Sequence, residues 1–393
     1  MLEIREGAAS ILAPDKGPER GPASSEMPVF YNPAMGVVRD MCVLAVGRLG
    51  ASLSRPLRAV DGLSGTGVRA IRLALESGCR FEALTANDRS LEAFKLIQDN
   101  IMRNGCGGTV SALRSDLNAL LSQERFDYID IDPFGPPVDF LPAAARAVRH
   151  KGLIGVTATD TGPLCGTNPA TCWRRYGAVS MRSEHMHETA ARILAGFCVR
   201  LGAQADVALR PVLTQSDDHY IRLYLRAERS ISWANEALGE LGYLGPERKL
   251  LRMDEGAPAR GKVAGPLWLG ELWDRDFLDE VWKAFNDRMA ASSMAGQGAP
   301  PPFANGKRLA RLLEPMKEEA GLPPFFFELD ECAKKYRSGP PRMAALLEAL
   351  GKAGFRASRT HFAPTGFRTD APAAELERLF VAASKPGAGN REP

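Results

Sequence analysis

The stretch Phe126-Asp-Tyr-Ile-Asp-Ile-Asp-Pro-Phe-Gly135 reads as a buried strand that stops at a carboxylate, a proline and an aromatic ring. A proline and a glycine two residues apart mark a turn, so the strand ends at Asp132-Pro133-Phe134. Other apolar runs of strand length lie at 57–60, 81–86, 110–113 and 153–157. Helical spacing fills the gaps between these runs, at 68–76, 91–104 and 140–150. Strands alternating with helices predict a mostly parallel sheet covered on both faces. A helix over 32–49 precedes this pattern and another over 184–201 follows it. Runs at 205–213 and 220–226, separated by the polar Gln215-Ser-Asp-Asp-His219, predict an antiparallel pair that ends the sheet near Glu228.

The rest is less regular. Helices are predicted over 236–243, 276–295, 307–319, 328–336, 342–353 and 372–383, and a small hairpin over 355–359 and 367–369. Breaker-rich segments at 13–26, 256–265 and 295–302 read as loops or linkers, and 384–393 as a disordered tail. The expected division is a first domain over 1–229, a smaller C-terminal α/β domain over 230–384, and a tail over 385–393. The 393 residues are 45% hydrophobic and 25% charged, enough for a large core. There is no apolar run of membrane-spanning length, and the first residues lack the apolar core of a signal peptide. Seven dispersed cysteines without a C-x-x-C pair fit reduced thiols in a cytoplasm and no zinc ribbon. The net charge of +3 is mild, but residues 303–369 carry twelve Lys/Arg against seven acids, a surplus of five.

Asp61-Gly-Leu-Ser-Gly65-Thr-Gly67 follows the first strand and opens a helix. Glycines there let a nucleotide-like ligand lie against the backbone, although a tight strand-to-helix turn would look the same. Asp88 follows the second strand, where an acid meets ribose hydroxyls, and Asp116 follows the third, where a carboxylate can accept from an adenine amine. Acids at three successive strand ends are expected of an S-adenosyl-L-methionine site. No lysine of a phosphate-binding loop follows the glycines. Arg39 and Arg69 are candidates for the donor's carboxylate, against the alternative of a solvated helix face. Asp132, Pro133 and Phe134 then supply what methylation of a nucleobase amine requires: an acceptor for its hydrogen bonds, a rigid turn and a ring against the base. Phe30, in Phe30-Tyr-Asn-Pro33, either staples the following helix or stacks on an extruded base. His185 and His187 cannot share a helix face, so no metal is expected. Cys165 and Cys172 read as buried thiols. Arg356, Arg359, His361 and Arg368 interleave with Phe355, Phe362 and Phe367, a pattern suited to RNA backbone and unstacked bases, and equally to an amphipathic hairpin.

These residues resemble the archaeal and eukaryotic tRNA guanine-N2 dimethyltransferases that act on guanine 26. The resemblance rests on Val29-Phe-Tyr-Asn-Pro33, Arg39-Asp40, Asp61 to Arg69, Asn87-Asp88, Asp130 to Gly135, Thr157-Ala-Thr-Asp160 with Leu164-Cys-Gly166, Arg182 to Leu194, Gly265-Pro-Leu-Trp-Leu-Gly270, and Ala357-Ser-Arg-Thr-His-Phe362 with Pro364-Thr-Gly366. It implies a class I S-adenosylmethionine-dependent methyltransferase with a Rossmann-like, mostly parallel seven-stranded sheet. It implies a donor site at Arg39, Arg69, Asp88, Asp116 and the backbone of Leu117, beside the glycine turn of Asp61, Gly65 and Gly67. It implies Asp132 as catalytic carboxylate, Phe30 and Phe134 around the guanine, and a C-terminal domain that helps hold tRNA. The chain departs from the family at Val38, where asparagine is usual, at Leu117, where a small residue is usual, and in lacking the four-cysteine zinc site of some members. The competing readings are an amino-group methyltransferase for another nucleic acid and a non-catalytic RNA-binding protein on the same scaffold. No obligate protein partner is evident.

Overall fold

The computed structural model describes residues 1–14, 29, 31–217, 219–253, 263–294 and 301–385. Phe30, most of the 13–26 loop, most of the 256–265 linker and the tail from 386 lie outside the described residues, as does part of the 295–302 break.

The chain opens with a hairpin, β1 (Leu2–Glu6) and β2 (Ala9–Ala13), turning at Gly7 with φ 58°. Helix α1 (Gly36–Leu53) follows, and then the alternation: β3 (Leu57–Asp61), α2 (Val68–Glu76), β4 (Phe81–Asn87), α3 (Leu91–Arg103), β5 (Val110–Leu113), α4 (Leu117–Gln123), β6 (Phe126–Ile131), α5 (Leu141–Ala147) and β7 (Val148–Ala158). Two short helices, α6 (Thr161–Leu164) and α7 (Pro169–Tyr176), lead to α8 (Met186–Ala203), β8 (Val207–Asp217) and β9 (Tyr220–Arg229). The seven strands lie in the order β5-β4-β3-β6-β7-β9-β8, with β9 antiparallel to both neighbours. The connections run one way from β3 and the other way from β6. A crevice therefore opens at the carboxyl ends of these two strands, where open α/β sheets bind ligands.

β6 is buried at all six positions, including Asp127 and Asp130. Buried charges persist only when paired. Asp127 accepts from Arg55 Nη2 at 2.6 Å, Arg149 Nη1 at 3.1 Å and the Arg58 amide at 2.9 Å. Asp130 is held by Arg222 of β9, whose Nη1 reaches Oδ1 at 3.1 Å and Thr157 Oγ1 at 2.9 Å. Arg222 is fully buried and lies over the Tyr224 ring. It fits because β7 has Gly155 beside its guanidinium, two residues along from its register partner Thr157: a Cβ there would meet the Arg222 guanidinium and come within 2.8 Å of Tyr128 Oη.

Three sequence expectations change. The helix predicted over 140–150 ends at Ala147, and Val148 to His150 already belong to β7. The polar segment at 215–219 is shorter as a separator than expected. β8 extends through Gln215, Ser216 and Asp217, because Thr214 and Gln215 are buried with partners: Thr214 Oγ1 donates to the Leu272 carbonyl at 2.9 Å, and Gln215 donates to Tyr220 Oη. The helix expected over 236–243 is shifted back as α9 (Ile231–Gly239), capped by Ser230. Residues 241–244 form β10 (Leu241–Leu244) instead, between β11 (Leu250–Arg252) and β12 (Ala264–Trp268). The smaller helices and the last hairpin stand where expected: α10 (Arg275–Met294), α11 (Gly306–Glu319), α12 (Leu329–Tyr336), α13 (Met343–Lys352) and α14 (Ala373–Ser384). β13 (Phe327–Glu328) adds a third strand to β14 (Ala357–Arg359) and β15 (Gly366–Thr369), in the order β13-β15-β14.

The sheet ends at Arg229, but its core does not. Trp268, Phe277, Phe285, Phe303, Leu309, Phe325 and Phe326 all belong to the apolar cluster of the first domain. A separate core begins at Leu329 and is built from Leu346, Leu350, Phe367, Leu376 and Phe380.

Candidate active site

The turn after β3 is shaped by glycine. Gly62 lies so close to its neighbours that a Cβ would sit 2.6 Å from Leu117 Cδ2 and 2.8 Å from the Asp130 carbonyl. Gly65 and Gly67 take left-handed φ angles of 56° and 80°, which other residues adopt at a cost. Asp88, just past β4, accepts the Gly65 amide at 3.0 Å on Oδ2 and the Ser90 amide at 3.0 Å on Oδ1. Each oxygen keeps a second lone pair for a ligand. Asp116 caps α4 through the Ala119 amide at 3.1 Å and is itself exposed, with Leu117 buried beneath it. The three acids therefore do stand at three successive strand ends, around one glycine turn.

Arg69, on α2, reaches the mouth of β6. Its Nη2 pairs with Asp132, and its Nε lies 3.4 Å from Asp130 and 3.7 Å from Asp61. Its Nη1 is buried and has no hydrogen-bond partner. The guanidinium favours the charged form of both buried carboxylates, Asp61 and Asp130. Burial pushes the Asp61 carboxyl up to about 6, aided by Asp130 and Asp132 and opposed by Arg69. Burial would raise Asp130 too, but Arg222 and Arg69 outweigh it and hold that carboxyl below its usual range. Asp132 is only partly buried, 16% exposed at the side chain, and Phe134 is half-exposed. The Asp132–Gly135 turn is fixed from the other side: Thr159 Oγ1 accepts the Gly135 amide at 2.7 Å, and the Thr159 amide donates to the Gly135 carbonyl at 3.1 Å.

Arg39 lies deeper than expected. It gives Nε and Nη2 to the carboxylate of Glu6 at 2.6 and 2.5 Å, and Nη2 also to the Asn32 carbonyl. Tyr31 Oη donates to the same carboxylate at 2.9 Å. Burial alone would raise Glu6, but Arg39 and Arg72 bring it down to about 2.

The RNA-binding expectation at the C-terminus is corrected at two of its four positions. Arg368 is buried and joins two acids, with Nη2 on Glu188 at 2.9 Å and Nε on Glu319 at 2.6 Å. His361 has a fully buried side chain bonded to Glu319 at 2.6 Å. Both are interior because their strand and loop press against α8 and α11. Glu188 also accepts the amides of Phe325 and Phe326, so the hub ties the last core to the methyl-transfer half. Arg356 is exposed, pairing with Asp370, and Arg359 is exposed as well. His185 stands at the start of α8, where its ring packs edge-on against Phe326 and does not cap the helix. Among the described residues no group of three or more His, Cys, Asp or Glu could hold a metal, and no helix is long and apolar enough to cross a membrane.

Glu6 and Glu188 set an acid limit. Arg368 and Arg192 overcome the burial penalty on Glu188 and bring it, too, to about 2. A carboxyl whose folded value is depressed stabilises fully above its ordinary value near 4.5 and loses that contribution as pH falls toward 2. The thermal midpoint is therefore expected to drop steeply between about pH 4.5 and 2. A midpoint flat across that window would show that these pairs do not stabilise the fold.

Fold and site together define a class I S-adenosylmethionine-dependent methyltransferase: a 5-4-3-6-7-9-8 sheet, a glycine turn ringed by strand-end acids, and an Asp-Pro-Phe turn at the switch point. A profile of the N2,N2-dimethylguanosine tRNA methyltransferases matches residues 7–380, and the chain belongs to this family. A tRNA (guanine(26)-N(2))-dimethyltransferase from Methanothermobacter thermautotrophicus is 36% identical over 97% of this chain and 99% of its own length. A tRNA (guanine(26)-N(2)/guanine(27)-N(2))-dimethyltransferase from Aquifex aeolicus is 35% identical over 94% of this chain and 93% of its own. Trm1 from Pyrococcus horikoshii, solved in complex with S-adenosyl-L-methionine, superposes with a TM-score of 0.83 at 31% identity, covering 97% of this chain and all of that one.

The sequence reading missed Asp130, Arg222, Glu6 and Glu188. For Asp130 and Arg222 a signal was present: a charged residue with apolar neighbours on both sides inside a strand.

Proposed function

We propose that the protein is a cytoplasmic tRNA (guanine-26-N2) dimethyltransferase, transferring one or two methyl groups from S-adenosyl-L-methionine to the exocyclic amine of a guanine drawn out of tRNA. The observation that carries this reading is Asp132-Pro133-Phe134 standing at the end of β6 and paired to Arg69 beside the glycine turn. The residues fit the donor. The partnerless Nη1 of Arg69 is the natural contact for its carboxylate, with Arg39 behind it. Asp61 faces its ammonium, Asp88 its ribose hydroxyls, and Asp116 with the Leu117 amide its adenine. Gly65 and Gly67, both left-handed, shape the turn against which it would lie.

When bound, the donor supplies a methyl carbon made electrophilic by its sulfonium. The protein's part is positioning. Extrusion of the guanine costs a few kcal/mol, which stacking against Phe134 and Phe30 offsets. The amine's lone pair is conjugated into the ring, so it must be turned toward the methyl carbon. Asp132 and the Pro133 carbonyl accept the amine's two hydrogens and fix that direction. The Asp132 charge also faces the positive charge that develops on nitrogen. With the donor bound, this hold would set the nitrogen in line with the methyl carbon and its sulfur, which would leave as the neutral thioether, and the Asp132 carboxylate stands in place to take the proton the nitrogen sheds.

Unmodified tRNA transcripts incubated with methyl-labelled donor are expected to yield labelled N2-methyl- and N2,N2-dimethylguanosine at position 26. Label on adenine or at an unrelated guanine would overturn the substrate assignment. Donor binding without any transfer to tRNA would overturn the activity. Label at 27 as well as 26 would extend the assignment to the pair of positions named for the Aquifex relative.

A further inference from the structure

Helix α7 carries a surface that neither folding nor the methyl-transfer centre uses. Two of its residues are anchors. Cys172 and Tyr176 are fully buried, Tyr176 Oη donates to Asp160 Oδ1 at 2.6 Å, and Arg175 Nη1 reaches Asp160 Oδ2 at 3.0 Å. Gly177, with φ 58°, closes the helix through its amide on the Trp173 carbonyl at 2.9 Å. Asp160 directly follows Thr159, and Thr159 is bonded through both its amide and its hydroxyl to Gly135. The helix is thus coupled by short, fixed links to the turn that carries Asp132 and Phe134.

Between these anchors lie Trp173 and Arg174. Trp173 is 60% exposed and Arg174 is exposed. Among the described residues neither side chain has a hydrogen-bond, ion-pair or ring partner. Trp173 is therefore a large exposed ring on a helix tied through Asp160 and Thr159 to the Asp132–Gly135 turn. Between Asp160 and Glu184 the chain contains Arg174, Arg175 and Arg182 and no acid. Arg175 is taken up by Asp160, which leaves Arg174 and the exposed Arg182 facing outward.

We propose that α7 is a tRNA-contacting element of this active site, with Trp173 stacking on the nucleotide next to the extruded guanine and Arg174 pairing with a phosphate there. The proposal rests on the tRNA reading above and adds to it. Drawing one base out of a stack leaves its neighbour with a bare face. A ring held rigidly at the rim covers that face, and an arginine with no partner of its own meets the adjacent phosphate.

Trp173→Ala, Trp173→Phe and Arg174→Gln test it in the full chain with unmodified tRNA transcripts. Trp173→Ala is expected to raise KM for tRNA about tenfold, because stacking on one base is worth roughly 1–3 kcal/mol. Turnover at saturating tRNA, donor affinity and thermal midpoint should stay near those of the unaltered enzyme. Trp173→Phe should restore most of the loss, since it restores a stacking face. Arg174→Gln should flatten the slope of log affinity against log salt by about one. Variants that bind and methylate tRNA like the unaltered enzyme would overturn the proposal. So would a Trp173→Ala loss that appears equally in donor affinity or thermal midpoint, because that pattern belongs to folding. An unaltered enzyme that methylates no tRNA would instead overturn the functional reading and this proposal with it.

Discussion

Asp132→Ala is expected to abolish measurable methyl transfer while leaving tRNA affinity nearly intact. The carboxylate is small and only partly buried, so its removal takes little from the RNA surface. It is also the group that aims the amine and faces the charge developing on nitrogen. Deleting one such electrostatic contact costs on the order of 100- to 1000-fold in turnover. Here the acceptor that orients the nucleophile is lost in the same step, so the effect should lie at or beyond the upper end. Asp132→Asn is the sharper variant. It keeps the shape and one acceptor oxygen, but it turns an amide N–H toward an amine that itself needs an acceptor, and it removes the charge that Arg69 pairs with. Single-turnover transfer with labelled donor, measured beside tRNA binding, tests both. Transfer retained within about tenfold in the asparagine variant would remove Asp132 from the proposed role.

Arg368→Met is expected to be strongly destabilising. It leaves Glu188 and Glu319 buried, with no guanidinium between them. Breaking a buried pair by removing one partner typically costs about 3–5 kcal/mol. Arg368 also donates to the Pro323 carbonyl at 3.0 Å, and that acceptor would be stranded as well. The last core should therefore loosen from the sheet-bearing half, lowering the midpoint of thermal or urea unfolding and exposing the region from residue 327 to proteolysis. If Arg368 were instead an RNA contact, the same variant would weaken tRNA binding at unchanged stability. The two outcomes are easily told apart.

That contrast shows what the sequence could and could not convey. The alternation of strands and helices through Ala158 was legible because each buried strand is a short apolar run and each helix has its own period. The positions of Asp61, Asp88, Asp116 and Asp132 were legible because each closes or follows an apolar run of strand length. The destination of a charged side chain inside an element was not. Arg368 and Arg359 lie in the same C-terminal strand pair, yet one is sealed and the other is wet. The difference comes from Glu188, 180 residues away, which no local pattern announces. Arg39 is a similar case, since its partner Glu6 lies in a hairpin whose packing only the assembled fold defines. The α9–β10 boundary was misplaced because Glu236 to Tyr243 has helical spacing, while Ser230 sets the start one turn earlier and the close pairing of Gly242 with β11 favours a strand.

Gly155 makes two positions in the sheet interdependent. No side chain can be added there while Arg222 keeps its place, and Arg222 cannot move while Asp130 needs a counter-charge. A change at either position alone is therefore expected to destabilise the sheet, and a tolerated exchange would have to involve Asp130 as well. A redesign of the interior would have to treat glycine, arginine and aspartate as a single unit.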